Sequence, residues 1–136
     1  MLALTTPIKT RLQDLEPLAG WQVRTNTEDA DRTVLPVADV RCVGAGVADR
    51  KMGAAMVAPE WTVALIVRRG AGAADALDQA MAAVIGALHN WQPGQQGGRG
   101  WEPLALLRIT EPMLAEEGLV GYELTFTTGA KYDGQN

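Results

Sequence analysis

The longest helical pattern in the chain, Ala73 to Asn90, directly follows a strand pattern, Trp61 to Arg68, and this pair constrains the fold most. The helical segment carries one stripe of large apolar residues and, beside it, a stripe of alanines. The first stripe is Leu77, Met81, Val84, Ile85 and Leu88, and the second is Ala76, Ala80, Ala83 and Ala87. The strand segment is apolar on both faces at its middle, which is typical of a central strand. We expect this helix to pack on a sheet, with the alanines allowing a close approach to that sheet or to a neighbouring subunit.

Only one other segment has a helical pattern. Thr6 and Pro7 predict its start, because a hydroxyl residue can cap a helix and proline suits the first helical position. Further strands are predicted at residues 21–25, 37–43, 104–109 and 120–128. The expected order is α-β-β-β-α-β-β. Because there are few helices and several apolar strands, we expect an α+β fold, a mixed β-sheet of about five strands with two helices packed on one face.

The 136 residues are expected to form a single domain, 1–136. Residues 44–59 mix glycine, alanine, methionine and charged residues without a clear period, and they are interpreted as a mobile loop of the kind that is often functional. Residues 129–136 are interpreted as a frayed tail. The apolar runs are too short to span a membrane and the first residues do not resemble a signal peptide, so a cytosolic chain is expected.

The sequence offers little for catalysis. It contains no serine, and Cys42 and His89 are the only residues of their types. A serine triad is therefore excluded, a Cys–His dyad would need those two residues to meet, and a typical zinc site lacks ligands. Gly70-Ala71-Gly72 stands where a dinucleotide fingerprint would, but Asp75 replaces the third glycine, which favours a plain strand-to-helix turn. Neither an enzyme nor a cofactor or metal site is expected.

The charge pattern argues against stable nucleic-acid binding. The net charge is −4, and the basic pairs Arg50-Lys51 and Arg68-Arg69 do not form a stripe. Acidic residues group at Glu28 to Asp31 and at Glu116-Glu117. Both acidic groups are interpreted as solvated turns.

Two segments are candidates for contact with other subunits. The predicted loop combines charge with methionines that adapt to irregular surfaces. Trp91 and Trp101 flank a Gly/Gln-rich loop, which they either clamp onto the domain or use to present an aromatic anchor to a partner. The candidate interface residues are Arg50, Lys51, Met52, Met56, Val57 and Trp101.

Four stretches are characteristic in combination. They are Gly20-Trp21 after the first helix, the helix running into Trp91, Gly100-Trp101-Glu102-Pro103-Leu104, and Gly121-Tyr122-Glu123-Leu124-Thr125-Phe126-Thr127. Together they resemble the tail-terminator (tail-completion) proteins of long-tailed bacteriophages and prophages, over most of residues 5 to 128.

The resemblance implies a homohexameric ring that caps the tail tube, stops its polymerisation and provides the head-joining surface. The implied partners are other copies, the tail tube protein and a head-completion or connector protein, with DNA passing through the lumen without specific binding. The protein would lie in the tail or neck of the virion after assembly in the bacterial host cytoplasm, and it would need no cofactor. Two alternatives stay open, another phage neck or head-closure component and a small-ligand-binding domain with the Trp91–Trp101 loop as its lid.

Overall fold

The secondary structure follows the expected order, with additional short strands. The computed structural model describes residues 1–48, 53–114 and 116–135. Its elements are α1 (Thr5–Gln13), β1 (Gln22–Thr25), β2 (Val37–Val47), β3 (Ala55–Arg68), α2 (Ala73–Leu88), β4 (Gly94–Gln96), β5 (Arg99–Trp101), β6 (Ala105–Thr110), β7 (Leu119–Thr127) and β8 (Ala130–Tyr132). Short 3₁₀ helices, Leu2–Leu4 and Glu16–Leu18, flank α1. Neither α-helix of the described residues has the length and apolar character that crossing a membrane requires.

The main sheet is mixed. Its strand order is β1-β2-β3-β7-β6, and β8 pairs with the start of β3, beyond the part of β3 that pairs with β7. β1 runs parallel to β2, and the other neighbouring strands of the described residues are antiparallel. β4 and β5 form a separate hairpin. The predicted α+β fold with a mixed sheet and two helices is confirmed.

One face of the sheet carries the core. Alternate residues of β3 point to this face and are buried, and Val63 at its centre lies between Val40 of β2 and Leu124 of β7. Both helices contribute buried side chains to the same cluster, Ile8 and Leu12 from α1 and Leu77, Val84 and Leu88 from α2. The helices therefore pack on one face, as expected for an amphipathic helix on a sheet.

The C-terminal half of the alanine stripe of α2 faces α1. Ala83 and Ala87 line a cleft of about 720 Å³ between the two helices, together with Arg11 and Trp91. The Nε atom of Arg11 donates a hydrogen bond of 2.6 Å to the carbonyl oxygen of Ala87. The close approach that small side chains permit is thus used within the chain at this position.

The first helix begins earlier than predicted. α1 starts at Thr5, so Thr6 is its second residue and not its cap, and no side chain caps the helix. The 3₁₀ turn Leu2–Leu4 runs directly into it, because Leu4 is completely buried in the core and holds the chain in place there.

The predicted loop 44–59 is wrong at both of its ends. Residues 44–47 continue β2 and residues 55–59 belong to β3, with Gly44 opposite Glu60 and Val47 opposite Val57. The register shifts between Cys42 and Gly44, a bulge that interrupts the alternation of side chains and so hides the strand in the sequence. Residues 49–52 lie outside the described part of the chain.

The predicted frayed tail, 129–136, is wrong at its start. Residues Ala130–Tyr132 form β8 along Ala55–Val57, and Ala130 is buried. The carbonyl oxygen of Gly129 accepts a 3.0 Å hydrogen bond from the Glu102 amide. A three-residue strand is too short to produce a recognisable sequence pattern, which is why it was not predicted.

Candidate assembly surfaces

Trp101 holds the β4–β5 hairpin against the rest of the chain. Its side chain is 2% exposed, and its Nε1 donates a 3.0 Å hydrogen bond to the carbonyl oxygen of Gln96. Its ring meets that of Tyr132 edge to face, with centroids 6.4 Å apart, and the guanidinium of Arg99 lies 3.7 Å from the centre of the Tyr132 ring. Trp101 is therefore a clamp and not an exposed anchor, which corrects its place among the candidate interface residues.

Trp91 is fixed by its backbone as well as its ring. Its amide donates to the carbonyl oxygen of Leu88, and its carbonyl oxygen accepts from the amide of Leu104, at 3.1 and 2.9 Å. The Arg11 guanidinium stands 5.0 Å from the ring centre, a cation–π contact. The segment between the two tryptophans is thus a pinned hairpin, and the alternative in which it acts as a ligand lid loses its support.

Of the remaining candidate interface residues, two lie in the described part of the chain and three lie outside it. Met56 and Val57 lie on β3, half-buried, opposite Lys131 and Ala130 of β8. Part of each side chain is therefore already buried by contacts within the chain. Arg50, Lys51 and Met52 lie outside the described residues.

The sheet face opposite the core carries an ionic cluster that the sequence analysis missed. The buried carboxylate of Asp39 lies 2.8 Å from Nε of Arg24, 3.0 Å from Nη2 of Arg41 and 3.5 Å from Nη1 of Arg32. Arg24 is also buried, whereas the other two side chains reach solvent. Alternation in β1 and β2 could have placed the cluster on one face, but only the parallel register sets Arg24 beside Asp39. Buried charges persist in a fold when they are paired in this way.

The acidic turn after β1 is bound to the fold. Glu28 accepts a 2.7 Å hydrogen bond from Nζ of Lys9 and a 2.9 Å bond from the amide of Thr25. These two bonds, the one from Lys9 first, lower the pKa of Glu28, and bonds from Thr33 lower the pKa of Asp31. Glu28 thus ties α1 to the end of β1, so the interpretation of this turn as merely solvated is wrong for Glu28.

Four of the exposed large apolar side chains lie at two strand edges. On β2, past the end of its pairing with β1, Val43 and Val47 are 52% and 62% exposed. On β6, whose described partner is β7, Leu107 and Ile109 are 48% and 44% exposed. Single proteins usually protect their edges with charge or proline, so apolar open edges are typical of interaction surfaces.

Cys42 lies on β2, whereas His89 directly follows α2 and its side chain reaches β6. Cys42 is half-buried on β2, whereas Nδ1 of His89 accepts a 3.0 Å hydrogen bond from the amide of Leu106 on β6. Two strands separate β2 from β6, which puts them roughly 14 Å apart, too far for a dyad. Within the described ranges, no group of three or more His, Cys, Asp or Glu residues could hold a metal ion.

The Gly70–Gly72 segment is a strand-to-helix turn. The amides of Ala73 and Ala76 donate to the carbonyl oxygens of Gly70 and Gly72 at 3.2 and 3.0 Å. These donors are used within the chain, which agrees with the plain-turn interpretation.

The comparisons with known proteins agree with this picture of a structural protein. The family model described as "Phage tail terminator protein" matches residues 26–134. A chain from the virion of a native gene transfer agent particle shares the fold, with a TM-score of 0.65, 21% identity, and coverage of 92% of each chain. No curated protein matches significantly. Because the family model spans most of the sequence, from the loop before β2 to beyond β8, the chain belongs to the phage tail terminator family.

Proposed function

We propose that the protein terminates a phage tail by forming a ring of six copies on the head-proximal end of the tail tube. The ring stops polymerisation of the tube and presents the surface to which the head joins. The observation that carries the proposal is the family match over residues 26–134. The role consists of protein–protein contacts and requires neither catalysis nor a cofactor.

The protomer has the surfaces that a ring needs. A closed ring of identical copies is built from a heterologous contact, in which one surface of each copy meets a different surface of the next. The apolar edges of β2 and β6 are two such unlike surfaces, and they lie on opposite sides of the sheet.

The faces of the ring would contact the tail tube protein on one side and a head-completion or connector protein on the other. DNA would pass through the lumen without specific binding, for which an inner wall with more Asp and Glu than Lys and Arg is suited. The exposed pair Glu116-Glu117 is a candidate for that wall, while Glu28 is less suited because Lys9 offsets its charge. Placement of Arg68-Arg69 around the pore would contradict this part of the proposal.

Deletion of the gene from the phage or prophage that encodes it tests the proposal. Tails are imaged by negative-stain electron microscopy, and their lengths are measured with and without complementation by the wild-type gene. We expect tubes of irregular length without heads, restored to uniform headed tails by complementation. Headless tails of uniform length would instead identify a neck or head-closure component, and normal particles would refute both roles.

A further inference from the structure

An open apolar groove lies at one end of the sheet, between the segments that lead into β1 and β2 and the start of α2. It has a volume of about 390 Å³, and its apolar side chains are Trp21, Leu35, Pro36, Val67, Ala73 and Ala76. Val67 is buried, and the other five are half-buried. Among the described residues that line the groove, Arg68 is the one charged side chain. The groove therefore offers apolar contact beside a positive charge.

The turn between β6 and β7 carries a methionine among glutamates. Met113 is fully exposed, and Glu111, Glu116 and Glu117 on either side of it in the chain are exposed as well. The ion pairs formed within the described residues include neither these glutamates nor Arg68. Single exposed apolar residues are common on surfaces, but methionine is a residue that adapts to apolar surfaces of partners. The turn thus has the apolar side chain and the negative charge that complement the groove.

The turn and the groove lie at the same end of the sheet. The amide of Arg69, directly after β3, donates a 2.8 Å hydrogen bond to the carbonyl oxygen of Gly118 at the end of the turn. β1 and β2 begin at the end of the sheet where β3 finishes. In the strand order β1-β2-β3-β7-β6, the groove is on the β1 side and the turn is on the β6 side. The two surfaces therefore share one level along the strands and lie on opposite sides of the protomer.

We propose that the β6–β7 turn of one copy inserts Met113 into the groove of the next copy, and that this contact repeats around the ring. The inference rests on the proposed function. A rotation about an axis along the strands keeps every residue at its level, so the turn of one copy meets the groove of its neighbour. Because the two surfaces are unlike, the contact is heterologous and can close a ring.

The charges at this contact are complementary. Glu111 is the glutamate that would face Arg68 of the next copy, because Glu116-Glu117 are candidates for the wall of the lumen. Opposite charges at the rim of an apolar contact orient the partners more than they strengthen binding. The pairing also places Arg68 between copies and away from the pore.

Cross-linking between two single-cysteine chains tests the contact. In a Cys42→Ala background, one chain carries Met113→Cys and the other carries Ala76→Cys, with tags of different mass. Leu2→Cys is the matched control for Met113→Cys, because Leu2 is 53% exposed but its neighbour Met1 bonds to β8 at the opposite end of the sheet. The chains are co-expressed and treated with a short bis-maleimide reagent. Folding is checked by far-ultraviolet circular dichroism and assembly by native mass spectrometry.

We expect a covalent dimer of unlike chains when Met113→Cys and Ala76→Cys are co-expressed. Neither chain alone should give a dimer, and Leu2→Cys with Ala76→Cys should give none. A dimer formed by Met113→Cys alone would show a contact between like surfaces and overturn the proposal.

Charged variants test the same contact in the otherwise unmodified chain. Met113→Glu should fold normally and weaken each contact roughly 10–100-fold, the effect of losing one buried methionine, so that rings need a higher protein concentration. Met113→Leu should keep the ring. Arg68→Glu should weaken assembly, whereas Arg68→Lys should preserve it.

The two proposals can fail separately. Intact rings without a cross-link between unlike chains, or Met113→Glu rings as stable as those of the wild type, would overturn this contact and leave the proposed function in place. A wild-type protein that never forms rings, even with tube protein present, would remove the proposed function and this contact with it.

Discussion

Replacement of Trp101 by alanine should release the β4–β5 hairpin from the rest of the chain and destabilise the whole fold. The side chain is 2% exposed, packs edge-on against Tyr132, and bonds to the carbonyl oxygen of Gln96. A buried tryptophan removes roughly 150–250 Å² from water, which corresponds to roughly 4–6 kcal/mol at about 25 cal/mol per Å². Measured costs of Trp→Ala in cores are about 3–5 kcal/mol. We therefore expect the free energy of unfolding to fall by about 4 kcal/mol, a large part of the stability of an ordinary domain.

Two companion variants separate the contribution of side-chain packing from that of the hydrogen bond. Trp101→Phe keeps most of the packing but removes the hydrogen bond to the carbonyl oxygen of Gln96, so we expect a loss of about 1 kcal/mol in unfolding free energy plus a smaller packing loss. Trp91→Ala should cost less than Trp101→Ala, because Trp91 is only half-buried. Urea unfolding followed by circular dichroism, at concentrations where the protein is monomeric, gives all three values. If Trp101→Ala left the unfolding free energy unchanged but abolished ring formation, Trp101 would be a partner anchor after all and the clamp would be wrong.

Three further variants test the fold by urea unfolding. Asp39→Ala should cost about 3–5 kcal/mol, because it leaves the buried guanidinium of Arg24 unpaired; no loss would mean that solvent already satisfies this arginine. Gly121→Ala should cost about 1–3 kcal/mol, because its Cβ would collide with the carbonyl oxygen of Leu65, whereas Gly86→Ala on open helix surface should be neutral or stabilising. Glu28→Gln should cost about 0.5 kcal/mol at neutral pH. Because the folded-state pKa of Glu28 is lowered, its contribution is present above the pKa of the unfolded chain and is lost as pH falls through the folded value, so the two proteins should become equal in acid. A difference that persists in acid would assign the effect to something other than this charge.

The elements that could be predicted are those whose periodicity runs long and undisturbed. α2 and the second half of β3 have patterns of 16 and 8 residues, and both formed within a residue or two of the expected bounds. The order of the main elements followed from the same patterns. α1 was also found, but its start was misplaced because the preceding 3₁₀ turn has no sequence signature of its own.

What could not be predicted depends on pairing between distant segments. The bulge at Val43 breaks the alternation of β2, so the strand looked like a loop from Gly44 onwards. β8 pairs with the start of β3, beyond the part of β3 that pairs with β7. It therefore cannot be predicted before the extent of β3 is known. The cluster around Asp39 requires the parallel register of β1 and β2, and a single sequence does not contain that information.

The candidate interface was harder to predict than the fold. Trp101 was selected because tryptophans beside a glycine loop often anchor partners, but burial decides between anchor and clamp, and burial is a tertiary property. The exposed apolar edges were overlooked because Val43 and Ile109 read in the sequence as ordinary strand residues. Their exposure follows from where β1 ends and from the position of β6 at the side of the sheet.

The mass of the wild-type assembly tests the central claim most directly. Native mass spectrometry of the purified protein across micromolar concentrations, alone and with tail tube protein, measures how many copies associate. The account predicts closed hexamers, with little intermediate species because both edges of every copy are used only in a complete ring. A protein that remains monomeric under all of these conditions, or that forms symmetric dimers and nothing larger, would contradict it.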